Sequence, residues 1–135
     1  MEYIVQTKNL EKKYKNINIL KGIDMNIPKG SIYGLIGKNG VGKTTLIRLI
    51  CGLQKPKNGT YSIYGIKNTE KGILKARKRI GAIIEQPSVY ENMTAKDNLI
   101  EQYKIIGIPL DKYIDELLEF VKLADAGKKR LNIFR

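Results

Sequence analysis

The stretch that decides the fold is Gly37-Lys38-Asn39-Gly40-Val41-Gly42-Lys43-Thr44. It has the form of a phosphate-binding P-loop, in which glycines let backbone N–H groups approach phosphate oxygens and a helix N-terminus adds positive potential. The lysine of such a loop reaches the β- and γ-phosphates, and its threonine hydroxyl ligates magnesium. We therefore predict a site for a nucleoside triphosphate with Mg2+.

The segments beside the loop predict the strand–loop–helix context that a P-loop requires. Residues 31–36 form a mostly apolar run that predicts a strand buried on both faces, and 80–84 predict a second one. After the loop, apolar positions at helical spacing predict a helix over 45–51, which Gly52 ends. The fold class is therefore α/β, with a P-loop NTPase core.

The remaining N-terminal segments predict an antiparallel β part. Loose apolar alternation over 17–27 is typical of a half-buried antiparallel strand pair, and short strands are predicted at 3–8 and 60–64. A polar stretch occupies 9–14, and a basic, weakly amphipathic helix is predicted at 69–79.

The C-terminal third predicts helices. Thr94 and Asp97 have the spacing of a capping box that opens a helix to about Ile106, where Gly107-Ile108-Pro109 breaks it. Asp111 is predicted to cap a further helix. That helix places four apolar residues on one face: Ile114, Leu117, Leu118 and Val121.

Composition excludes several classes of protein. The 135 residues contain one cysteine and no histidine, so an internal disulfide is excluded and a zinc site is disfavoured. No apolar run is long enough to span a bilayer, and the first residues do not resemble a secretion signal. Of the 25 basic residues 20 are lysines scattered through every segment, so we favour solvated lysine over a surface for acidic lipid headgroups or nucleic acid as the origin of the +12 charge.

The residues around the loop resemble the ATP-binding subunits of ABC transporters. The resemblance is carried by Leu20 to Leu46, then by Tyr61 to Gly65 and Tyr90 to Leu99, in the family's order, and it covers at least residues 5–123. It implies an ABC-type fold in which an antiparallel β subdomain joins the P-loop core. The Gly81 to Pro87 segment resembles the branch associated with bacitracin and lantibiotic export and self-immunity.

The resemblance also implies residue roles. Tyr14 becomes the aromatic residue that stacks on adenine, and Thr45 contacts the α-phosphate beside Thr44. The expected nucleotide-binding set is Tyr14, Gly37, Lys38, Asn39, Gly40, Val41, Gly42, Lys43, Thr44 and Thr45.

The family usually places a glutamine after the strand corresponding to 80–84, close to the γ-phosphate and the metal. Here an ungapped count puts Glu85 at that position, with Gln86 one residue later. Either residue could fill the role, and a carboxylate at Glu85 could hold magnesium. The expected catalytic set is therefore Lys43, Glu85 and Gln86, and the expected metal ligands are Thr44 and Glu85.

The family's signature sequence, its apolar run ending in Asp-Glu and its switch histidine do not occur in the chain. We therefore expect a nucleotide-binding core with β subdomain over 1–93 and the start of a helical subdomain, truncated, over 94–135. Such a chain is expected to bind ATP without turning it over, whereas the whole subunit is an ATPase.

The resemblance implies a membrane permease and a second ATP-binding subunit as partners, and a cytoplasmic location on the inner face of the cell membrane. No direct nucleic-acid partner is expected. Two alternatives stay open: a soluble ABC-type ATPase acting on ribosomes or nucleic acid, and a non-hydrolysing ATP-binding module.

Overall fold

A computed structural model describes residues 2–86, 89–109 and 113–125. The chain divides into two compact units, Met1–Gln86 and Pro87–Arg135. The helices and strands are β1 (Tyr3–Tyr14), β2 (Ile17–Pro28), α1 (Lys43–Ile50), β3 (Asn58–Ile63), β4 (Ile66–Lys67), α2 (Ile73–Arg77), α3 (Ala95–Ile106) and α4 (Tyr113–Phe120). The division expected from the sequence, after residue 93, stays a prediction about subdomains.

An antiparallel sheet organises the first unit. Its strand order is β2-β1-β3-β4, and the long hairpin β1–β2 runs from the pair Tyr3–Pro28 to the pair Tyr14–Ile17. Alternate side chains on one face are apolar, as the two-residue period of a strand requires, and α1 and α2 pack against them. The buried cluster consists of Leu10, Leu20, Met25, Leu46, Leu49, Tyr61, Ile63, Ile73 and Ala76.

The hairpin differs from its prediction in two ways. The first strand continues through the polar stretch to Tyr14, and residues 17–28 form one strand that pairs with β1 rather than a strand pair of their own. Leu10 explains the extension, because its fully buried side chain fixes the polar stretch to the core. A register shift between Thr7 and Leu10, where Asn9 has φ 47°, brings Leu10 to the buried face.

Buried strands were predicted at 31–36 and 80–84, and both predictions were wrong. Neither segment forms a ladder with any described residue, and Ile32 and Ile36 are 104% and 97% exposed. A strand buried on both faces needs neighbouring strands for its backbone groups. The described part of the chain provides no such neighbours, so apolar character alone does not make these segments strands.

The predictions for the helices were better, because their signals are local. The helix after the P-loop forms as α1, and Gly52 adopts φ 77° directly after it, as expected for the end of a helix. The basic helix expected at 69–79 is shorter, since α2 covers only Ile73–Arg77 and has Gly72 rather than a capping side chain before it.

In the second unit the capping box of α3 is confirmed. The Asp97 backbone N–H donates to Thr94 Oγ1 at 3.1 Å, and the Thr94 N–H donates to Asp97 Oδ2 at 3.3 Å. Gly107 ends α3 with φ 77°, as its position predicted. In α4, Ile114 and Leu118 are buried, whereas the other two residues of the predicted face are exposed; Asp111 lies outside the described residues.

Asn98 ties the segment before α3 to the helix. Its Oδ1 accepts from the Tyr90 N–H at 2.7 Å, and its Nδ2 donates to the carbonyls of Tyr90 and Thr94 at 3.0 and 2.9 Å. The side chain is buried, so removing it leaves the Tyr90 N–H without its partner and takes one of two donors from each carbonyl.

We expect Asn98→Ala to lower the free energy of unfolding of this unit by about 1–3 kcal/mol, because buried polar groups lose their partners. Urea denaturation followed by circular dichroism measures the effect. Gln102→Ala, at an exposed position of α3, is the matched control, and an equal effect of the two changes would contradict the role given to Asn98.

Candidate nucleotide-binding site

The P-loop ends in a helix N-terminus that is open to a ligand. Gly42 is the N-cap of α1 and makes no side-chain cap, and the first turn contains no acidic residue. The first backbone bond of the helix runs from the Leu46 N–H to the Gly42 carbonyl, at 2.9 Å. The amides of Lys43, Thr44 and Thr45 therefore precede the helical bonding pattern and can donate to an anion.

Lys43 folds back over the loop. Its Nζ donates to the carbonyl of Lys38 at 2.8 Å and to that of Gly37, while the Val41 N–H closes the loop on the Lys38 carbonyl at 3.3 Å. The ammonium group is thus held above the loop by backbone oxygens. A phosphate group would offer the same donor stronger, charge-assisted hydrogen bonds.

The loop encloses a cavity of about 220 Å³. Its lining consists of Ile19, Asn39, Gly40, Gly42, Lys43, Thr44 and Thr45. Six of these seven residues belong to the set predicted from the sequence, and they are brought together by the loop and the first turn of α1. The cavity therefore combines backbone donors, an ammonium group and two hydroxyls, which is the chemistry that phosphate requires.

Gly42 fits closely against the hairpin. Its φ is 107°, and a Cβ added there would lie 2.9 Å from Leu20 Cδ2 and 3.2 Å from the Ile19 carbonyl oxygen. The start of β2 therefore supports the loop from one side. Any residue other than glycine at this position would meet both backbone strain and a clash.

Tyr14 lies at the end of the hairpin, with its ring 40% exposed. Its hydroxyl donates to Gln54 Oε1, and Lys12 Nζ lies 5.2 Å from the ring centroid. Tyr14 is not among the described residues that line the cavity, although its strand partner, Ile17, is only two residues from Ile19. The ring is available for stacking, and its role toward adenine stays a prediction.

Glu85 is held away from the P-loop cavity. Its Oε1 accepts from Arg48 Nη2, in the last turn of α1, at 3.2 Å, and its backbone has φ 66°. That conformation is uncommon for a residue other than glycine and often marks a functional segment. Gln86 is exposed. In this arrangement neither side chain contributes to the lining of the cavity among the described residues.

The protein oxygen atoms near the loop can bind magnesium only together with phosphate oxygens. Within the described ranges no group of three His, Cys, Asp or Glu residues could form a protein cage for a metal. Magnesium usually keeps several waters and binds through one or two protein oxygens plus substrate phosphates. The Thr44 hydroxyl in the first turn of α1 meets that limited requirement.

The single cysteine is not suited to covalent chemistry. Cys51 directly follows α1, and its burial raises the pKa of the thiol above the usual value, against a smaller opposing effect of Arg77. The thiol is therefore neutral at physiological pH and a poor nucleophile.

A larger concavity, of about 350 Å³, lies on the sheet and lacks the features of a phosphate site. It is lined by polar residues of β1, β2 and β3, two of which bond to each other: Gln6 Nε2 donates to Asn26 Oδ1 at 2.9 Å. Its described lining residues include no glycine and no residue of a helix N-terminus. Separately, none of the helices in the described ranges has the length and apolar content needed to cross a membrane.

Comparison with known proteins decides the family. The family profile described as ABC transporter matches residues 20–134. The chain belongs to the ABC transporter ATP-binding family. A solved structure described as the ATP binding subunit of an ABC transporter aligns with this chain with a TM-score of 0.79 and 28% sequence identity. The alignment covers 94% of this chain and 54% of the chain in that structure.

The similar curated members of the ABC family include two transport proteins for peptide antibiotics. The bacitracin transport ATP-binding protein BcrA of Bacillus licheniformis is 42% identical over 99% of this chain and 44% of its own length. The lantibiotic transport ATP-binding protein SrtF of Streptococcus pyogenes is 34% identical over 97% of this chain and 55% of its own length. The chain therefore spans about half the length of these curated relatives.

Three residues at this ABC site were not singled out from the sequence. Ile19 lines the cavity, Gln54 binds the Tyr14 hydroxyl, and Arg48 pairs with Glu85. All three act across contacts between segments that are distant in sequence. Only Arg48 had a local signal, as a basic residue in the last turn of a predicted helix.

Proposed function

We propose that this chain is the nucleotide-binding part of an ABC transporter subunit that couples ATP binding and hydrolysis to transport through a membrane permease. Export of a peptide antibiotic is the transport reaction that we favour. The subunit would act at the inner face of the cell membrane, together with a permease and a second ATP-binding subunit.

One observation carries the ATP-binding part of this proposal. Lys43, whose Nζ binds the Lys38 carbonyl, and the first turn of α1 line the same glycine-rich cavity, so donors and positive charge face one space. Phosphoryl transfer depends mainly on such positioning and charge neutralisation. The antibiotic substrate is supported by the relatives, whose names give bacitracin and lantibiotic transport.

In this proposal each residue of the site has its own role in binding the nucleotide. The amides of residues 43–45 bind the phosphates, Lys43 neutralises the β- and γ-phosphates, and Thr45 contacts the α-phosphate. Thr44 would hold Mg2+, which supplies charge neutralisation between the β- and γ-phosphates. Tyr14 stacks on adenine, a contact that needs no base-specific hydrogen bond.

The binding part is tested by titrating the chain with a fluorescent ATP analogue, with Mg2+ or with a chelator present. Saturable binding that Mg2+ strengthens and unlabelled ATP displaces is the expected result. The transport part is tested by disrupting the gene that encodes the chain. Lower tolerance of bacitracin or a lantibiotic is expected, and unchanged tolerance across a panel of peptide antibiotics would remove the substrate proposal.

The dependence of ATP binding on the Mg2+ concentration distinguishes a metal-binding role of Glu85 from one of Gln86. If the Glu85 carboxylate turns from Arg48 toward the metal when ATP is bound, Glu85→Gln should raise the Mg2+ concentration for half-maximal binding by about 3- to 10-fold. Gln86→Ala should then have little effect. The reverse pattern would assign the role to Gln86, and no effect of either change would contradict both assignments.

A further inference from the structure

The positive charge of the chain is confined to one of its two units. Residues 1–86 contain 17 Lys and Arg but only 5 Asp and Glu, whereas residues 87–135 contain 8 of each. The unit that contains the P-loop therefore accounts for all of the +12 charge. Lysine is common in both units, so the difference arises from the scarcity of acidic residues in the first.

Part of this charge gathers at the end of the β1–β2 hairpin. The loop after α1 lies against the hairpin there, since Lys12 Nζ donates to the Lys55 carbonyl at 2.7 Å and the Lys57 N–H to the Glu11 carbonyl at 2.8 Å. We name the resulting group the lysine collar. It consists of Lys12, Lys13, Lys15, Lys55 and Lys57.

The lysine collar includes Lys12, whose Nζ lies 5.2 Å from the centroid of the Tyr14 ring, and few carboxylates balance its charge. Glu11 is the one carboxylate in its two segments, 11–15 and 54–57, and it already accepts a hydrogen bond from Asn58 Nδ2 at 2.8 Å. Four of the lysines are exposed: Lys13, Lys15, Lys55 and Lys57. Their ammonium groups are therefore available to attract an anion from solution.

The lysine collar lies at the end of the hairpin that also contributes a residue to the nucleotide cavity. Tyr14 pairs with Ile17, and Ile19, two residues further along β2, lines the cavity and approaches Gly42. Two residues of a strand cover about 7 Å, which is less than the Debye length of about 8 Å at physiological ionic strength. The hairpin end that carries the collar thus lies within roughly one Debye length of the cavity-lining Ile19, so its charge is only partly screened there at low salt.

We propose that the lysine collar steers the nucleoside triphosphate into the P-loop cavity. This inference rests on the proposed ATP binding and adds an entry route to it. ATP carries three to four negative charges, and a surface of one sign beside a cleft raises the association rate of a charged ligand by about 10- to 1,000-fold in favourable cases. The collar increases the rate of arrival, whereas the P-loop determines how long the nucleotide stays.

The test compares two triple variants by stopped-flow fluorescence with an ATP analogue. Lys13→Gln, Lys15→Gln and Lys57→Gln together remove charge from the collar. Lys71→Gln, Lys75→Gln and Lys78→Gln remove the same charge from exposed positions in and around α2. Circular dichroism of both variants checks that the fold is kept.

The collar variant is expected to bind the nucleotide about 3- to 10-fold more slowly at about 20 mM salt, with an unchanged dissociation rate. The difference should vanish near 0.5 M salt, where the Debye length falls to about 4 Å. The association rate of the control variant should fall much less.

Equal decreases of the association rate in the two variants, or no decrease in either, would overturn the role of the collar. A faster dissociation with unchanged association would overturn it as well, because it would make these lysines direct contacts of the bound nucleotide. Absence of nucleotide binding by the unaltered chain would overturn the proposed function itself, which is a separate outcome.

Discussion

Replacing Lys43 by alanine is expected to weaken ATP binding by about 10- to 100-fold. The ammonium group is the one side-chain cation that lines the P-loop cavity among the described residues. Its charge-assisted hydrogen bonds to phosphate are worth about 1.5–3 kcal/mol, and each 1.4 kcal/mol is a factor of ten in affinity. Equilibrium titration with a fluorescent ATP analogue measures the loss.

The matched control for this change is Lys75→Ala, because Lys75 is exposed on α2 and does not line the cavity. It removes the same unit of charge from the same part of the chain. Unchanged affinity in the Lys43 variant, or an equal loss in the control, would contradict the assignment of the site.

Replacing Gly42 by alanine is expected to damage both the loop and the stability of the first unit. The backbone there has φ 107°, which L-residues rarely adopt, and strain of this kind costs about 1–3 kcal/mol. The new Cβ would also meet Leu20 and the backbone of Ile19. We expect at least a tenfold loss of ATP affinity and a lower midpoint of thermal unfolding.

Two other glycines separate the causes of this effect. Gly34→Ala adds a Cβ in open space with no positive φ, so little change is expected. Gly40→Ala keeps the strain, at φ 81°, but meets no neighbour within 4 Å. An effect of Gly42→Ala no larger than that of Gly40→Ala would show that the contact with the hairpin adds nothing to the strain.

The sequence predicted well those features whose causes lie within a few residues. The P-loop, the helix after it, the Thr94–Asp97 capping box and the Gly107 helix end each depend on short-range geometry, and each appears in the structure. The family prediction also succeeded, because it used the order of several such segments together.

The features that were missed depend on partners distant in sequence. Apolar runs predicted strands at 31–36 and 80–84, but a strand forms only where another backbone pairs with it. The ion pair between Arg48 and Glu85 and the bond between Tyr14 and Gln54 likewise join residues about 40 positions apart. No local pattern indicates either contact.

The distribution of charge became visible only once the two units were known. Counting basic residues alone showed lysines in every segment, which concealed where acidic residues balance them. The division into units separates a strongly positive part from a neutral one.

The contact between Gly42 and the start of β2 restricts how these two segments can diverge in evolution. A larger side chain at Leu20 would intrude on the loop from the opposite direction, just as a Cβ at Gly42 would intrude on the hairpin. Substitutions in this part of the hairpin are therefore limited in volume by the close approach of Gly42. A substitution at Leu20 in the sheet can therefore disturb the nucleotide loop at Gly42, although the two residues are far apart in the sequence.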